Sequence, residues 1–225
     1  MTRPRTDLVL GTALWGWVVD EVAAFPLLDA FYQRGYRSVD TATNYPINGE
    51  PQDLGSAQRI LVNWQRAHGV TDLAVTAKIG SVSNDGSADN RLDRNHLLKE
   101  IEREKTLFGA NLSRIAIHWD NREDSDAITE TLQVFREVNG ASLGLGMSGI
   151  LRSDLYAALA PDLSTEWTIQ VKHNVLNSSA YRHYADFHGQ ASFWAYGLNA
   201  GGLGFSKQYR RRSSATVRQV ETDCN

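Results

Sequence analysis

The segment Ala74–Gly80, with the sequence AVTAKIG, decides the fold of this 225-residue chain. It is an apolar run that ends in a lysine, and such runs are typical of parallel strands covered by helices. Runs of this kind recur along the chain. They predict seven strands, near Leu8–Leu14, Arg37–Asp40, Ala74–Lys78, Arg114–His118, Leu143–Met147, Thr168–His173 and Phe193–Tyr196.

Helical segments with capping residues lie between these strands. They are a helix capped by Asp53 and ending at about His68, a helix after Asp93, a helix from about Asp126 to before Gly140, and a helix from Ser153 to Leu159. Alternating strands and helices predict β–α–β units around a parallel sheet. We expect a TIM-type α/β barrel, shortened to seven clear units with a degenerate or missing eighth. Thr216–Val220 could supply a short eighth strand.

Composition is that of an ordinary globular domain, with 42% hydrophobic and 22% charged residues and a net charge of −3. This balance argues against nucleic-acid or membrane binding, and no apolar run has the roughly 18 residues of a membrane span. The single cysteine, Cys224, makes a disulfide or metal–thiolate site improbable, so we expect a cytoplasmic protein without a metal. We expect a barrel domain at 1–205 and a basic, flexible tail at 206–225.

Four polar residues follow three successive strands at the same end of the predicted sheet: Asp40, Tyr45, Lys78 and His118. A lysine that ends an apolar strand needs a partner for its charge, and Asp40 is the obvious one. A nearby ammonium should lower the pKa of Tyr45 from about 10, so that the phenol can donate or accept a proton near neutral pH. The group therefore predicts general acid–base chemistry at an oxygen.

These segments, in this order, resemble the catalytic tetrad of the aldo-keto reductase family, and Leu10–Gly16 fits the first strand of that family. The resemblance extends from about Leu8 to about Leu203. It implies a barrel with Asp40, Tyr45, Lys78 and His118 as catalytic residues, acting on a small-molecule carbonyl or hydroxyl group.

Three tryptophans, Trp15, Trp17 and Trp119, are predicted at the rim of the barrel beside these residues. They could be aromatic packing at the top of the barrel, or they could line a substrate pocket for an apolar or planar molecule. The resemblance favours the pocket for Trp119, because it directly follows His118.

The resemblance also implies a nicotinamide site, but several of its residues differ here. Family members hold the nicotinamide amide with a Ser-Asn pair and a glutamine, and stack a tyrosine on the ring. Ser148, Gln170 and Tyr196 match, whereas Gly149 replaces the asparagine and Gly197–Asn199 replaces a Ser-Pro-Leu run. The Lys-Ser and arginine that grip the 2′-phosphate of NADPH have no counterpart.

A basic run, Lys207 with Arg210, Arg211 and Arg212, could replace that phosphate grip, dock an acidic partner or be solvated tail. Losing two or three phosphate contacts of roughly 1.5–3 kcal/mol each would weaken cofactor binding by several powers of ten.

The sequence therefore leaves three functions open. The first is an acid–base enzyme without a nicotinamide cofactor, catalysing dehydration, isomerisation or condensation. The alternative is an NADPH-dependent carbonyl reductase, and the second alternative is a non-catalytic binding relative. A seven-stranded barrel would leave an open edge, which a second copy of the chain could cover.

Overall fold

The computed structural model of the chain describes residues 8–140 and 143–199. Seven strands alternate with six α-helices. The strands are β1 (Leu10–Gly11), β2 (Ser38–Ala42), β3 (Ala74–Ile79), β4 (Leu112–Asp120), β5 (Gly144–Ile150), β6 (Trp167–Lys172) and β7 (Ser192–Tyr196). The helices are α1 (Glu21–Gln33), α2 (Ser56–His68), α3 (Arg94–Phe108), α4 (Ser125–Gly140), α5 (Ser153–Leu159) and α6 (Ser179–His183).

All seven strands belong to one sheet, in which each strand pairs in parallel with the next along the chain. The sheet curls into a shortened TIM-type barrel, which confirms the predicted fold class. In the described residues β7 does not pair with β1. We call the opening between these two strands the seam; its walls are Val9 and Gly11 on one side and Trp194 and Tyr196 on the other.

Local sequence signals explain several helix boundaries. The side chain of Asp93 accepts a hydrogen bond from the backbone N–H of His96 and so begins α3 as predicted. α2 ends at Gly69, whose φ of +62° is the left-handed conformation that glycine adopts at a helix end. The helices pack on the outside of the sheet through buried side chains such as Leu61 and Phe135.

Two boundary predictions are wrong. β1 covers only Leu10–Gly11, not Leu8–Leu14, because residues from Thr12 onward fold into successive turns, with the N–H of Val19 bonded to Leu14 O. Asp53 does not cap α2, because it ends a separate 3₁₀ turn and Gly55 precedes the helix instead.

The proposed eighth strand at Thr216–Val220 and the basic run from Lys207 to Arg212 lie outside the described residues. The second copy expected over the open edge stays a prediction. Within the described part of the chain, none of the helices has both the length and the hydropathy needed to cross a bilayer.

Candidate active site

The ends of β2, β3 and β4 bring three of the four predicted residues together inside the barrel. Lys78 is 1% exposed and donates its ammonium hydrogen to Asp40, whose carboxylate is 14% exposed. His118 is 2% exposed on the next strand. Because parallel strands end at the same edge, the register places Lys78 and His118 near one another, as the sequence predicted.

Tyr45 follows β2 and lies against both of these side chains. Its ring centroid is 4.7 Å from Lys78 Nζ and 5.5 Å from the imidazole of His118, which it meets edge-on at 88°. The ring is 9% exposed. The ring of Tyr45 is therefore held beside both an ammonium and an imidazole.

Gln170, from β6, is a fifth member of this group, and the sequence assigned it only to cofactor binding. Its Nε2 donates to Asp40 Oδ1 at 2.7 Å, and its Oε1 accepts from Lys78 Nζ at 3.4 Å. Both carboxylate oxygens of Asp40 are thus hydrogen-bonded, one to Lys78 and one to Gln170. Gln170 closes a polar ring that fixes the lysine and the carboxylate.

The environment sets the protonation of each of these groups. Burial raises the pKa of the Tyr45 phenol above 10.0, and the Lys78 ammonium offsets only part of the rise. Burial alone would lower the pKa of Lys78, but Asp40 and Tyr45 outweigh it and the pKa lies above 10.5. Burial and the charge of Lys78 hold the pKa of His118 well below 6.5.

The expectation that Lys78 lowers the pKa of Tyr45 is therefore wrong in its net direction. Desolvation of the phenolate is the larger effect, because the ring lies almost entirely out of water. At neutral pH Tyr45 is protonated, Lys78 is charged and His118 is neutral.

The three tryptophans predicted at the rim occupy different environments. Trp15 is 3% exposed and belongs to the hydrophobic core, whereas Trp17 is 56% exposed. Trp119 lies beside His118 with ring centroids 4.5 Å apart. Its φ of +61° is a conformation that side-chain-bearing residues rarely adopt, so its backbone is strained. Among the aromatic ring pairs of the described residues, Trp119 is the one of the three tryptophans that pairs with a residue of the group around Tyr45.

The residue that follows Trp119 is fixed by buried polar contacts. Asp120 is 1% exposed and accepts hydrogen bonds from Arg122 at 2.7 and 2.9 Å and from the Tyr156 hydroxyl at 2.7 Å. Sequence reasoning missed this network, although an arginine two residues after an acidic strand end was a signal for it.

Gly149, where the family has an asparagine, is explained by Trp119. A Cβ added to Gly149 would lie 2.4 Å from Trp119 Cδ1, so no side chain fits while the indole keeps its place. Ser148, its neighbour, is 6% exposed and its hydroxyl is directed to Gln170 O at 3.4 Å. The indole thus takes the space that an amide side chain would need.

A cleft of about 430 Å³ opens along the seam and reaches Asp40, one of the four residues that the sequence predicted for the site. Asp40 and Gln170 form its inner wall and Tyr196, 52% exposed, lies at its mouth. A second cleft of about 380 Å³ is lined by Trp119, Gly149 and other residues of the neighbouring loops. No cluster of His, Cys, Asp and Glu able to hold a metal ion occurs in residues 8–140 and 143–199.

Comparison with known proteins places the chain in a family. A model of the aldo/keto reductase family matches residues 7–222. The chain is 38% identical over 76 residues to an uncharacterized 11.2 kDa protein in the crtE 3′ region of Pseudescherichia vulneris, a match to 33% of this chain and 74% of that protein. It is 28% identical over 126 residues to versiconal hemiacetal acetate reductase of Aspergillus parasiticus, a match to 50% of this chain and 37% of that enzyme.

Among solved structures, the chain is similar to glycerol dehydrogenase of Gluconobacter oxydans, with a TM-score of 0.66 and 21% identity. The match covers 90% of this chain and 63% of the dehydrogenase. At this identity the similarity shows the fold. The chain spans less than two thirds of the length of both the dehydrogenase and the reductase.

Proposed function

Because the chain belongs to the aldo/keto reductase family, we propose that it reduces the carbonyl group of a small molecule, with NADPH as the hydride donor. Its relatives support this class of reaction, since one is named a reductase and the structural neighbour is a glycerol dehydrogenase. Both names describe oxidoreductases.

The proposal depends on the position of the Tyr45 ring, whose centroid lies 4.7 Å from Lys78 Nζ and 5.5 Å from the His118 imidazole. A buried phenol whose pKa is raised holds its proton at neutral pH and can donate it. The ammonium of Lys78 and the neutral imidazole of His118 stabilise charge and orient an oxygen. This arrangement suits an oxygen that gains negative charge during the reaction, as the oxygen of a carbonyl under reduction does.

The non-redox reaction that the sequence placed first fits this arrangement less well. Isomerisation through an enol begins with removal of a proton from carbon, which requires a base. Lys78 stays charged, Tyr45 stays protonated, and both oxygens of Asp40 already accept hydrogen bonds. His118 is neutral, but burial and the charge of Lys78 hold its pKa well below 6.5, which makes the imidazole a weak base for removing a proton from carbon. The comparisons also favour the carbonyl reductase, which the sequence gave as the alternative.

The described residues fit the nicotinamide end of the cofactor. Gln170 and the exposed ring of Tyr196 both face the seam cleft, where Gln170 keeps a second amide hydrogen for a ligand oxygen. Ser148 is buried away from that cleft, and Gly149 offers no amide. The nicotinamide would therefore be held by Gln170 and Tyr196, while the basic run proposed for the phosphates lies outside the described residues.

In the proposed reaction the cofactor provides the hydride and the protein provides the proton. Gln170 and Tyr196 would hold the nicotinamide of NADPH, which when bound would supply hydride to the carbonyl carbon. Tyr45 then gives its phenolic proton to the oxygen, and the nearby ammonium of Lys78 stabilises the phenolate that remains. Asp40 and Gln170 keep that ammonium in place, and His118 orients the oxygen toward the phenol.

Oxidation of NADPH with a panel of small aldehydes and ketones tests the proposal. Tyr45→Phe removes only the phenol, and we expect turnover to fall by roughly 10²–10⁴ while the circular dichroism spectrum stays that of the wild type. Tyr36→Phe is the matched control, because Tyr36 stacks on Phe31 outside the site. If Tyr45→Phe keeps more than about half of the wild-type turnover, Tyr45 is not the proton donor.

A further inference from the structure

We propose that the seam between β1 and β7 is also an anion-binding site, in which Arg114 binds a phosphate or carboxylate group. This site is separate from the tetrad, and its ligand class is independent of the reductase proposal. The contacts of Arg114, the glycines beside it and the shape of the seam cleft support it.

Arg114 lies inside the barrel, where β4 pairs with Thr76 of β3 and Gly144 of β5. Its side chain lies across β5 over two glycines. A Cβ added to Gly144 would be 3.2 Å from Arg114 Nε, which is tighter than an ordinary contact. A Cβ added to Gly146 would be 2.8 Å from Ala116 Cβ and 3.2 Å from Arg114 Cδ. The glycine at 144 therefore leaves room for the guanidinium, and the glycine at 146 leaves room for both Ala116 and the arginine.

The charge of Arg114 has no counter-ion in the described ranges. Its one hydrogen bond there is a long contact of 3.4 Å from Nη1 to the hydroxyl of Thr76. Nε is buried without a hydrogen-bond partner in the same part of the chain. Arg122, also partly buried, instead makes a 2.7 Å ion pair with Asp120. A partly desolvated guanidinium with a buried free N–H favours an anion nearby.

Trp194 connects Arg114 with the seam. The guanidinium carbon lies 4.8 Å from the centroid of the Trp194 ring, and Trp194 is one wall of the 430 Å³ cleft. Val9 lies two residues before Gly11, and Trp194 lies two residues before Tyr196. The cleft therefore extends about 6–7 Å along the strands from Gly11 and Tyr196 toward the N-terminal ends of the strands. Arg114 does not itself line the cleft, so the ring of Trp194 is the contact through which the guanidinium adjoins it.

The charges inside the barrel favour the same kind of ligand. Lys78 is neutralised by Asp40 and His118 is neutral, which leaves Arg114 as an uncompensated positive charge among these groups. Phosphate and carboxylate match the planar fork of a guanidinium with two parallel hydrogen bonds. The anion is therefore expected to be a free small molecule that carries a phosphate or carboxylate group.

Calorimetric titration of the full chain with inorganic phosphate at low ionic strength tests the site. We expect saturable binding that weakens as salt is added, and at least a tenfold loss of affinity in Arg114→Met. Arg34→Met, which removes an exposed arginine of the surface, is the matched control and should bind as the wild type does. Equal phosphate affinity of Arg114→Met and the wild type would overturn the proposal. If the wild-type chain does not bind phosphate at low ionic strength, the proposal is wrong.

A second readout avoids any dependence on the folding of a variant. Phenylglyoxal modifies arginine side chains, and peptide mass spectrometry of the modified wild-type chain reports each arginine separately. We expect phosphate to slow modification of Arg114 severalfold and to leave Arg34 unchanged. Equal rates at Arg114 with and without phosphate would contradict the site.

Discussion

Lys78 is the residue on which the geometry of the site depends, because its ammonium contacts Asp40, Gln170 and the ring of Tyr45 while being 1% exposed. A buried charge is tolerated only when it is paired and hydrogen-bonded. The pair therefore links the stability of the barrel to the chemistry proposed for its interior.

Asp40→Asn should lower the stability of the fold. It leaves the Lys78 ammonium buried without a counter-charge, so we expect a loss of about 3–5 kcal/mol in the free energy of unfolding, measured by urea denaturation. Asp72→Asn breaks the exposed Arg37–Asp72 pair and serves as the control, with little expected change. Equal stability of Asp40→Asn and the wild type would show that the pair is not buried in solution.

The pH dependence of turnover should follow the protonation of Tyr45 and His118. The phenol donates its proton only below its pKa, which is raised above 10.0, and His118 is neutral only above its pKa, which is well below 6.5. We expect a flat kcat between about pH 6.5 and pH 10, with losses on either side. A kcat that falls steeply between about pH 7 and pH 8 would contradict the assigned proton donor.

At the level of single residues, the sequence predicted which side chains converge but not all of their contacts. Asp40, Lys78 and His118 could be found because each lies at the end of an apolar strand. The hydrogen bonds from Gln170 to Asp40 and Lys78 could not, because they cross the barrel between strands far apart in the chain. The net pKa shift of Tyr45 depends on burial, which local sequence does not report.

At the level of elements, continuous apolar runs predicted all seven strands, since strands buried on both faces have that pattern. The cap of α3 at Asp93 was also predictable from sequence. The prediction for β1 was too long because Ala13 and Leu14 are apolar, yet the backbone there folds into turns. Apolar composition thus indicates burial, whereas strand length also depends on hydrogen-bond partners.

The contact between α2 and α3 contains a buried carboxyl group. Glu104 of α3 is fully buried, accepts a hydrogen bond from Gln58 Nε2 at 2.8 Å and lies 3.6 Å from Arg103. Burial raises the pKa of Glu104 from 4.5 to about 7. Because the folded state disfavours the charged form, Glu104 makes the fold less stable as pH rises from about 4.5 to about 7.

Glu104→Gln should therefore stabilise the chain at pH 8, by up to on the order of 3 kcal/mol, and change it little near pH 4.5, where both side chains are neutral. Melting temperatures at the two pH values measure this. Glu102→Gln is the control, because Glu102 is exposed and pairs with Lys105 at the surface. A Glu104→Gln variant that is less stable than the wild type at pH 8 would contradict the raised pKa.

At the level of the whole molecule, the barrel of the described residues is open along one side. The proposed cofactor residues Gln170 and Tyr196 line the seam cleft, and Trp194 of the same cleft contacts Arg114 of the proposed anion site. The chain covers 63% of the dehydrogenase that it resembles, and the seam lies where an eighth strand would complete a TIM barrel.

The most direct test of the reductase account follows the hydride itself. The chain is incubated with NADPH deuterated at the transferable position of the nicotinamide and with the best carbonyl substrate of the panel, and the product is analysed by mass spectrometry. We expect one deuterium on the carbinol carbon of an alcohol, no product without NADPH, and at least a hundredfold less product from Tyr45→Phe. A product that forms at the same rate without NADPH and contains no deuterium would contradict the reductase proposal. That result would favour non-redox acid–base chemistry instead.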